Sequence, residues 1–417
     1  MRTSVSAAAV VVARLAPPTT LIVAFALAAM APPAGAAEPA GRPRLRELGV
    51  SPGVLSPGPH NAITDVEGIA VGHRTVVEGD AVRTGVTAIL PHRGNLFQDK
   101  VPAAVHVANG FGKAAGFLQV AELGTIETPI VLTNTLAVGT AVEAVVRWTL
   151  AQPGNEQVRS VNAVVGETND GWLNDIRSLP VTGRHVDEAI AAATVGPVAT
   201  GSVGAGTGTQ ALGWKAGIGT SSRRLPASLG GWTVGALVQS NFGGILTFDG
   251  VPVGEELGRW TYREQVAAPP EPGPSAEDVA SPPAAGPGAS GDGSVIVVLA
   301  TDAPLSAHSL ERLARRAVPA LGRVGSFIGN GSGDFVVAFS TAQTRAWAPA
   351  EPVLDVRDLA DEALSPLFLA TVEAVEEAIL DSLVTATSVT GRDGHRAEAI
   401  PLDDLRDVLR RHGRLTD

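Results

Sequence analysis

From Leu45 to Phe248 the chain is a series of short apolar runs broken by glycine, among them "GIAVGH", "TGVTAILPH", "AAVHVANG", "IVLTNT" and "WTVGALVQSNFGG". Runs of this length, rich in β-branched residues and bounded by turn residues, predict β-strands. Two stretches switch to helical spacing, about Ala137 to Leu150 and Val186 to Ala193, the second opening on acidic residues that suit a helix N-terminus. Downstream, "SVIVVLATDA" predicts a strand. Leu310, Leu313, Ala314 and Ala317 then predict a helix from about Ser306 to Ala317, stopped by Pro319. Another strand, "GDFVVAFSTA", follows. The last clear helix opens at Ser365-Pro366, a cap followed by proline at the first helical position, and Phe368, Val372, Val375, Ile379 and Leu383 mark one buried face. Strands and then helices, rather than strict alternation, predict an α+β layered sandwich.

Two stretches fall outside this pattern. In the first 40 residues Arg2 and Arg14 are the only charges before Glu38, Thr20 to Met30 is apolar, and Ala34-Gly35-Ala36 has the A-x-A form of a cleavage site. Residues 1–36 therefore read as a secretory signal peptide, too short in its apolar run for the ~20 residues that span a bilayer. The expected location is periplasmic or secreted, with no stable membrane association after removal of the leader. Residues 266–291, "VAAPPEPGPSAEDVASPPAAGPGASG", have no apolar periodicity and predict a flexible loop.

Composition narrows the chemistry. Loss of residues 1–36 takes the formal net charge from -11 to -13, which argues against a nucleic-acid partner. There is no cysteine, so disulfides, thiolate catalysis and cysteine-ligated metals are excluded. The eight histidines lack ligand spacing, and His73 in "AVGH" reads as a strand-end residue. No H-E-x-x-H, G-x-x-x-x-G-K-[ST] or G-x-S-x-G motif occurs. The glycines of "GSVGAGTGTQ" have neither the spacing of a phosphate loop nor a helix start behind them, and predict close backbone packing.

Hydroxyl nucleophiles remain, and Ser294 in "GDGSVIVVLATDAPL" is the notable one. Cleavage between Gly293 and Ser294 would give the serine a free α-amine beside its own Oγ. An amine of pKa near ~8 can serve as the base for that hydroxyl at neutral pH. Gly293 offers no side chain to block attack on its carbonyl. An ordinary turn before a strand explains the same four residues.

Further blocks carry a resemblance: "PGPHNAITDVEGIAVGH", "VRTGVTAILPH", "NGFGKAAGF", "TPIVLTNT", "VVGETNDGWLNDI", "GSVGAGTGTQALGWKAGIGTSSR", "LVQSNFG", "GNGSGDFVVAFSTA" and "TGRDGH". With "GDGSVIVVLATDAPL" they run collinearly from about Leu45 to His395. The chain resembles the DmpA-type autoprocessing aminopeptidases, the family of L-aminopeptidase/D-esterases and β-aminopeptidases known as peptidase family S58.

The resemblance implies a four-layer αββα sandwich, shared with ornithine acetyltransferases, in which residues 37–293 and 294–417 become two chains of one catalytic domain. It implies Ser294 as the liberated nucleophile and Asn241 as an oxyanion donor. Ser332 and Asp334 fall on a second serine and its acidic neighbour close to the nucleophile. Glu167 is implied to receive the substrate's free amine, with Asn169 beside it in the substrate site. Read without the resemblance, Asn241 is equally a polar strand end, Glu167 a strand-end carboxylate with a surface ion pair, and Ser332–Asp334 a tight turn. Three departures stand out: Asn169 replaces a tyrosine of some members, Asp334 is one methylene shorter than the glutamate of β-peptide-cleaving relatives, and the Pro-rich tract looks like an insertion.

The expected activity is hydrolysis of small peptides, amides or esters bearing a free amino group, without metal or organic cofactor, by a homo-oligomer, a tetramer of processed units. An acyltransferase using an amine acceptor and a non-catalytic secreted protein of the same fold are the alternatives.

Overall fold

The computed structural model describes residues 41–267 and 293–415. The leader and almost all of the Pro/Gly-rich stretch therefore lie outside the described residues.

Nine strands of five residues or more carry the architecture: β1 (Ala70–Glu78), β2 (Val82–Leu90), β3 (Asp99–Gly110), β4 (Ile130–Asn134), β5 (Val164–Thr168), β6 (Ile218–Arg224), β7 (Thr233–Asn241), β8 (Gly293–Thr301) and β9 (Ser332–Ser340). The helices that cover them are α1 (Val138–Leu150), α2 (Gly183–Ala191), α3 (Ala307–Ala314), α4 (Ala317–Arg323), α5 (Ser365–Val384) and α6 (Leu402–Arg411). One sheet has the order β1-β2-β4-β5 and the other β3-β9-β8-β7-β6, with short strands at Thr125–Ile126 and Arg345–Ala346 beside β3. The pairs β4/β5 and β8/β9 are parallel, and the other long pairs are antiparallel.

Alternation along each strand separates three cores. Ile89, Ile130, Leu132 and Val164 from the first sheet meet Leu237, Ile296, Val298 and Val337 from the second. Val86, Val131 and Val165 point the other way, onto α1 and α2 through Val145, Val186 and Ile190. Val238, Val295, Val297 and Val336 face α3 to α6. The result is the expected α+β sandwich of four layers, αββα, and its inner interface is what positions the site. The central strands β7, β8 and β9 are buried on both faces because both faces are covered.

Local expectations fail in instructive ways. The acidic residues Asp187 and Glu188 lie inside α2, which starts earlier, at Gly183; Glu188 pairs with Arg184 one turn back and with Arg74. Pro319 does not end a helix. The chain breaks at Arg315 and Arg316 and restarts, so Pro319 sits in the first turn of α4, where its missing N–H would have had no partner. His73 is mid-strand in β1, its Nδ1 2.9 Å from Thr87 Oγ1, and burial pushes it down to about 4. The largest departure is α5, buried almost all round in its last three turns, with Glu373, Glu376, Glu377 and Asp381 inside. Arginines supplied from elsewhere make this possible: Arg223 to Glu373 at 3.0 Å and to Glu377 at 2.7 Å, Arg46 to Glu377 at 2.7 Å, Arg44 to Asp381 at 2.7 Å and Arg323 to Glu376 at 3.0 Å.

Candidate active site

β8 begins at Gly293-Ser294, in the middle of the second sheet, flanked by β7 and β9. Ser294 lies opposite Asn241 in the antiparallel register and opposite Gly333 in the parallel one. It shares the phase of Ile296 and Val298, so its side chain is on the face turned to the first sheet. Its hydroxyl is buried against the carbonyl of the preceding residue, Oγ to Gly293 O 2.5 Å. A Cβ at position 293 would lie 2.2 Å from the Asn241 carbonyl oxygen, so only glycine fits there.

Asn241, the last residue of β7, is held at both ends of its amide. Oδ1 accepts from the Gln210 N–H at 3.0 Å, and Nδ2 donates to the Asn169 carbonyl at 3.0 Å. An amide nitrogen has two hydrogens. One is thus fixed in direction by the Asn169 carbonyl, and the same nitrogen carries a second. The glycine-rich stretch that provides Gln210 is packed backbone to backbone as expected: a Cβ on Gly206 would lie 2.4 Å from the Ile218 nitrogen. Gln239, two residues earlier on the same face, donates from Nε2 to Thr133 O at 3.1 Å and Thr168 Oγ1 at 2.9 Å, tying the two sheets together behind the site. Its role was not anticipated, although a period of two from Asn241 marks it.

Ser332 and Asp334 open β9. Ser332 pairs with Gly293 and Asp334 with Val295, and the Ser332 hydroxyl donates to Asp334 Oδ1 at 2.7 Å. They alternate with Gly333, so they stand alongside the peptide that joins Gly293 to Ser294 rather than beside the Ser294 side chain. Burial pushes the Asp334 carboxyl up to about 6 despite the Ser332 hydrogen bond, and its Oδ2 has no hydrogen-bond partner among the described residues.

Glu167 belongs to β5 of the other sheet and is buried, not a surface ion pair. Oε1 accepts from the Lys113 backbone N–H at 2.9 Å and Oε2 accepts from the Thr135 hydroxyl. No lysine or arginine side chain neutralises it among the described ion pairs. The segment Phe111–Lys113 links it to Ser294: a Cβ on Gly333, the parallel partner of Ser294, would meet Phe111 O at 2.7 Å, and one on Gly112 would meet Glu167 Oε1 at 3.3 Å. Asn169 is exposed, with Oδ1 accepting from the Gly171 N–H at 2.9 Å, and contributes through its carbonyl. The site thus gathers a hydroxyl against a peptide carbonyl, an oriented amide donor, a carboxylate without a cation, and a serine–carboxyl pair.

The model of peptidase family S58 matches residues 61–397. The chain belongs to that family. It is 42% identical over 398 residues to the β-peptidyl aminopeptidase BapA of Sphingosinicella microcystinivorans, covering 92% of this chain and 95% of the relative. Among solved structures, the β-aminopeptidase of a Burkholderia species superposes with a TM-score of 0.78 at 41% identity, covering 89% of this chain and 99% of that one. The L-aminopeptidase D-Ala-esterase/amidase of Ochrobactrum anthropi, described as a prototype serine aminopeptidase with a variant of the Ntn hydrolase fold, superposes with a TM-score of 0.78 at 39% identity, covering 90% of this chain and all of that one.

This S58 member is therefore an aminopeptidase by family, built on the DmpA-type fold. Among the described residues, no helix is long and apolar enough to cross a membrane.

Proposed function

We propose that this S58 aminopeptidase is an exported, self-cleaving serine hydrolase, and the observation that carries the reading is the Ser294 hydroxyl lying 2.5 Å from Gly293 O with Asn241 directly opposite. In processing, Oγ attacks the Gly293 carbonyl carbon. The C–N bond to Ser294 breaks as the C–O bond forms, the nitrogen takes the hydroxyl proton, and the product is an ester with a free amine. Water then hydrolyses the ester, leaving a carboxylate on Gly293 and restoring the hydroxyl.

In turnover, the Ser294 amine takes the Oγ proton as Oγ adds to the substrate carbonyl and returns a proton to the leaving amine or alcohol; water, deprotonated by the same amine, then hydrolyses the acyl ester and restores the Ser294 hydroxyl. Asn241 Nδ2 donates to the oxyanion. Ser332 and Asp334, beside the scissile peptide, orient the new amine. Glu167 accepts from the substrate's ammonium, which supplies the positive partner its buried carboxylate otherwise lacks. Substrates are small peptides, amides or esters with a free amino group, and the β-peptidyl relatives make β-amino peptides a class to try first. We further propose a homo-oligomer of processed units in the periplasm or outside the cell.

Intact mass and N-terminal sequencing of the purified protein beside Ser294→Ala test the reading. The wild type is expected to yield a chain beginning Ser-Val-Ile-Val while the variant stays whole. A wild type that remains one chain has no α-amine at Ser294 and overturns it.

A further inference from the structure

One buried carboxyl close to Glu167 has no part in the mechanism above. Asp170 is 2% exposed and has no cationic partner among the described ion pairs. Its Oδ1 accepts from Asn174 Nδ2 at 2.9 Å, and Oδ2 is buried without a hydrogen-bond partner. The side chains of Thr84 and Asn134 also face the carboxyl. Burial pushes it up to about 7, which suits a carboxyl that shares hydrogen bonds with neutral neighbours rather than pairing with a cation.

From the Thr84 and Asn134 side chains that face this carboxyl, hydrogen bonds lead to Glu167. Asn134 Nδ2 donates to Thr84 Oγ1 at 2.9 Å, while Asn134 Oδ1 accepts from Leu136 N at 3.1 Å and Ala137 N at 3.0 Å. Those bonds fix the turn that presents Thr135, whose hydroxyl donates to Glu167 Oε2. The glycine-rich segment lies against Asp170 as well, since a Cβ on Gly208 would be 2.9 Å from the Asp170 Cβ.

We propose that Asp170 is a positioning residue for amine recognition: through Thr84 and Asn134 its carboxyl sets the turn that aims Thr135 at Glu167. A carboxylate left free to turn binds an ammonium less well because it must be re-ordered on binding. The effect falls on substrates that carry the amine and spares those that lack it. This inference rests on the reading of Glu167 as the amine anchor.

The test uses processed enzyme and two chromogenic esters, an aminoacyl ester and its des-amino counterpart, with wild type, Glu167→Gln, Asp170→Ala and Thr84→Val. Asp170→Ala is expected to raise KM for the aminoacyl ester roughly tenfold, the scale of a weakened hydrogen bond to a charged group, with kcat/KM for the des-amino ester within about threefold of wild type. Thr84→Val, nearly isosteric and lacking only the hydroxyl link, should move KM the same way by a smaller factor. It also supplies the answer if Asp170→Ala does not fold or process. Equal losses on both esters, or no rise in KM in Thr84→Val, overturn the inference. If Glu167→Gln abolishes the preference for the aminoacyl ester and the Thr84 and Asp170 variants keep it, only the role of Asp170 falls. A wild type that shows no such preference removes the anchor itself and this inference with it.

Discussion

Asn241 and Ser294 stand opposite each other across the β7–β8 ladder, and the Asn241 amide is pinned by Gln210 N–H on one side and the Asn169 carbonyl on the other. A donor held this way pays no reorganisation cost when charge develops beside it. Asn241→Ala should lower kcat by roughly 100- to 1,000-fold with a small change in KM, and should slow the appearance of the Ser294 chain, because both reactions pass through the same oxyanion. Steady-state kinetics on processed enzyme and a time course of processing by mass spectrometry read the two effects. Loss expressed mainly in KM would place the Asn241 amide elsewhere.

Asp334 is expected to give the reaction an acid limb. Its carboxyl, raised to about 6 by burial, accepts the Ser332 hydroxyl only while it has a free lone pair in the right place, a job the ionised form does best. kcat/KM is therefore expected to fall as pH drops through about 6, and Asp334→Asn should be slower with that limb absent. Stability runs the other way. The folded carboxyl holds its proton more tightly than the unfolded one, whose ordinary value is 3.8, so this group's contribution weakens as pH rises from about 4 to about 6. Activity lost on acidification with no matching loss of thermal stability separates titration from unfolding.

Much of the framework was legible because burial on both faces of the inner strands leaves continuous apolar runs such as "SVIVVLA" and "FVVAF". What one element receives from distant chain was not. The acidic residues of α5 look like a solvated stripe until Arg44, Arg46 and Arg223, far away in sequence, meet them. At the site, Ser294 stood out by its own neighbours, Gly293 and the strand after it. Asn241, Glu167, Ser332 and Asp334 were marked by family resemblance, since no local pattern puts a strand end of one sheet against that of another. Thr135 and Asp170 lay inside quoted motifs, "VLTNT" and "ETND", yet their partners are set only by how β2, β4 and β5 align.

Lys215 is another buried charge-bearing group without a counter-ion among the described ion pairs. It is fully buried, its Nζ donates to Gly206 O at 3.0 Å and to Ala216 O, and burial pushes it down to about 7. An unfolded chain still carries this proton up to about 10.5, so between pH 7 and about 10 stability should rise with pH on account of Lys215. Lys215→Met lacks that term. The free-energy difference, wild type minus variant, should therefore grow with pH by up to about 1.4 kcal/mol per unit in this range. Urea unfolding at several pH values, in a Ser294→Ala background that keeps the chain continuous, measures it; parallel profiles would mean that Lys215 stays charged in the fold.

A buried ion cluster joins the segments on either side of Ser294. Arg223, from β6, has no exposed surface and holds Glu373 and Glu377 of α5, with further bonds from its guanidinium to the carbonyls of Pro52, Ser222 and Glu373. Replacing the pair by apolar residues would trade desolvation against attraction, but removing the arginine alone strands Glu373 in the interior without a cation and leaves Glu377 with Arg46 alone. Arg223→Met should therefore destabilise by about 3–5 kcal/mol, while the double change Arg223→Met with Glu373→Gln should recover part of the loss. If processing divides the chain at Gly293, β6 and α5 belong to different polypeptides, and the same substitution should loosen the association of the two. Denaturant titration of the uncleaved Ser294→Ala form reports the first effect. Native mass spectrometry of the processed form reports the second, and a variant that keeps both stability and association would show the cluster to be dispensable.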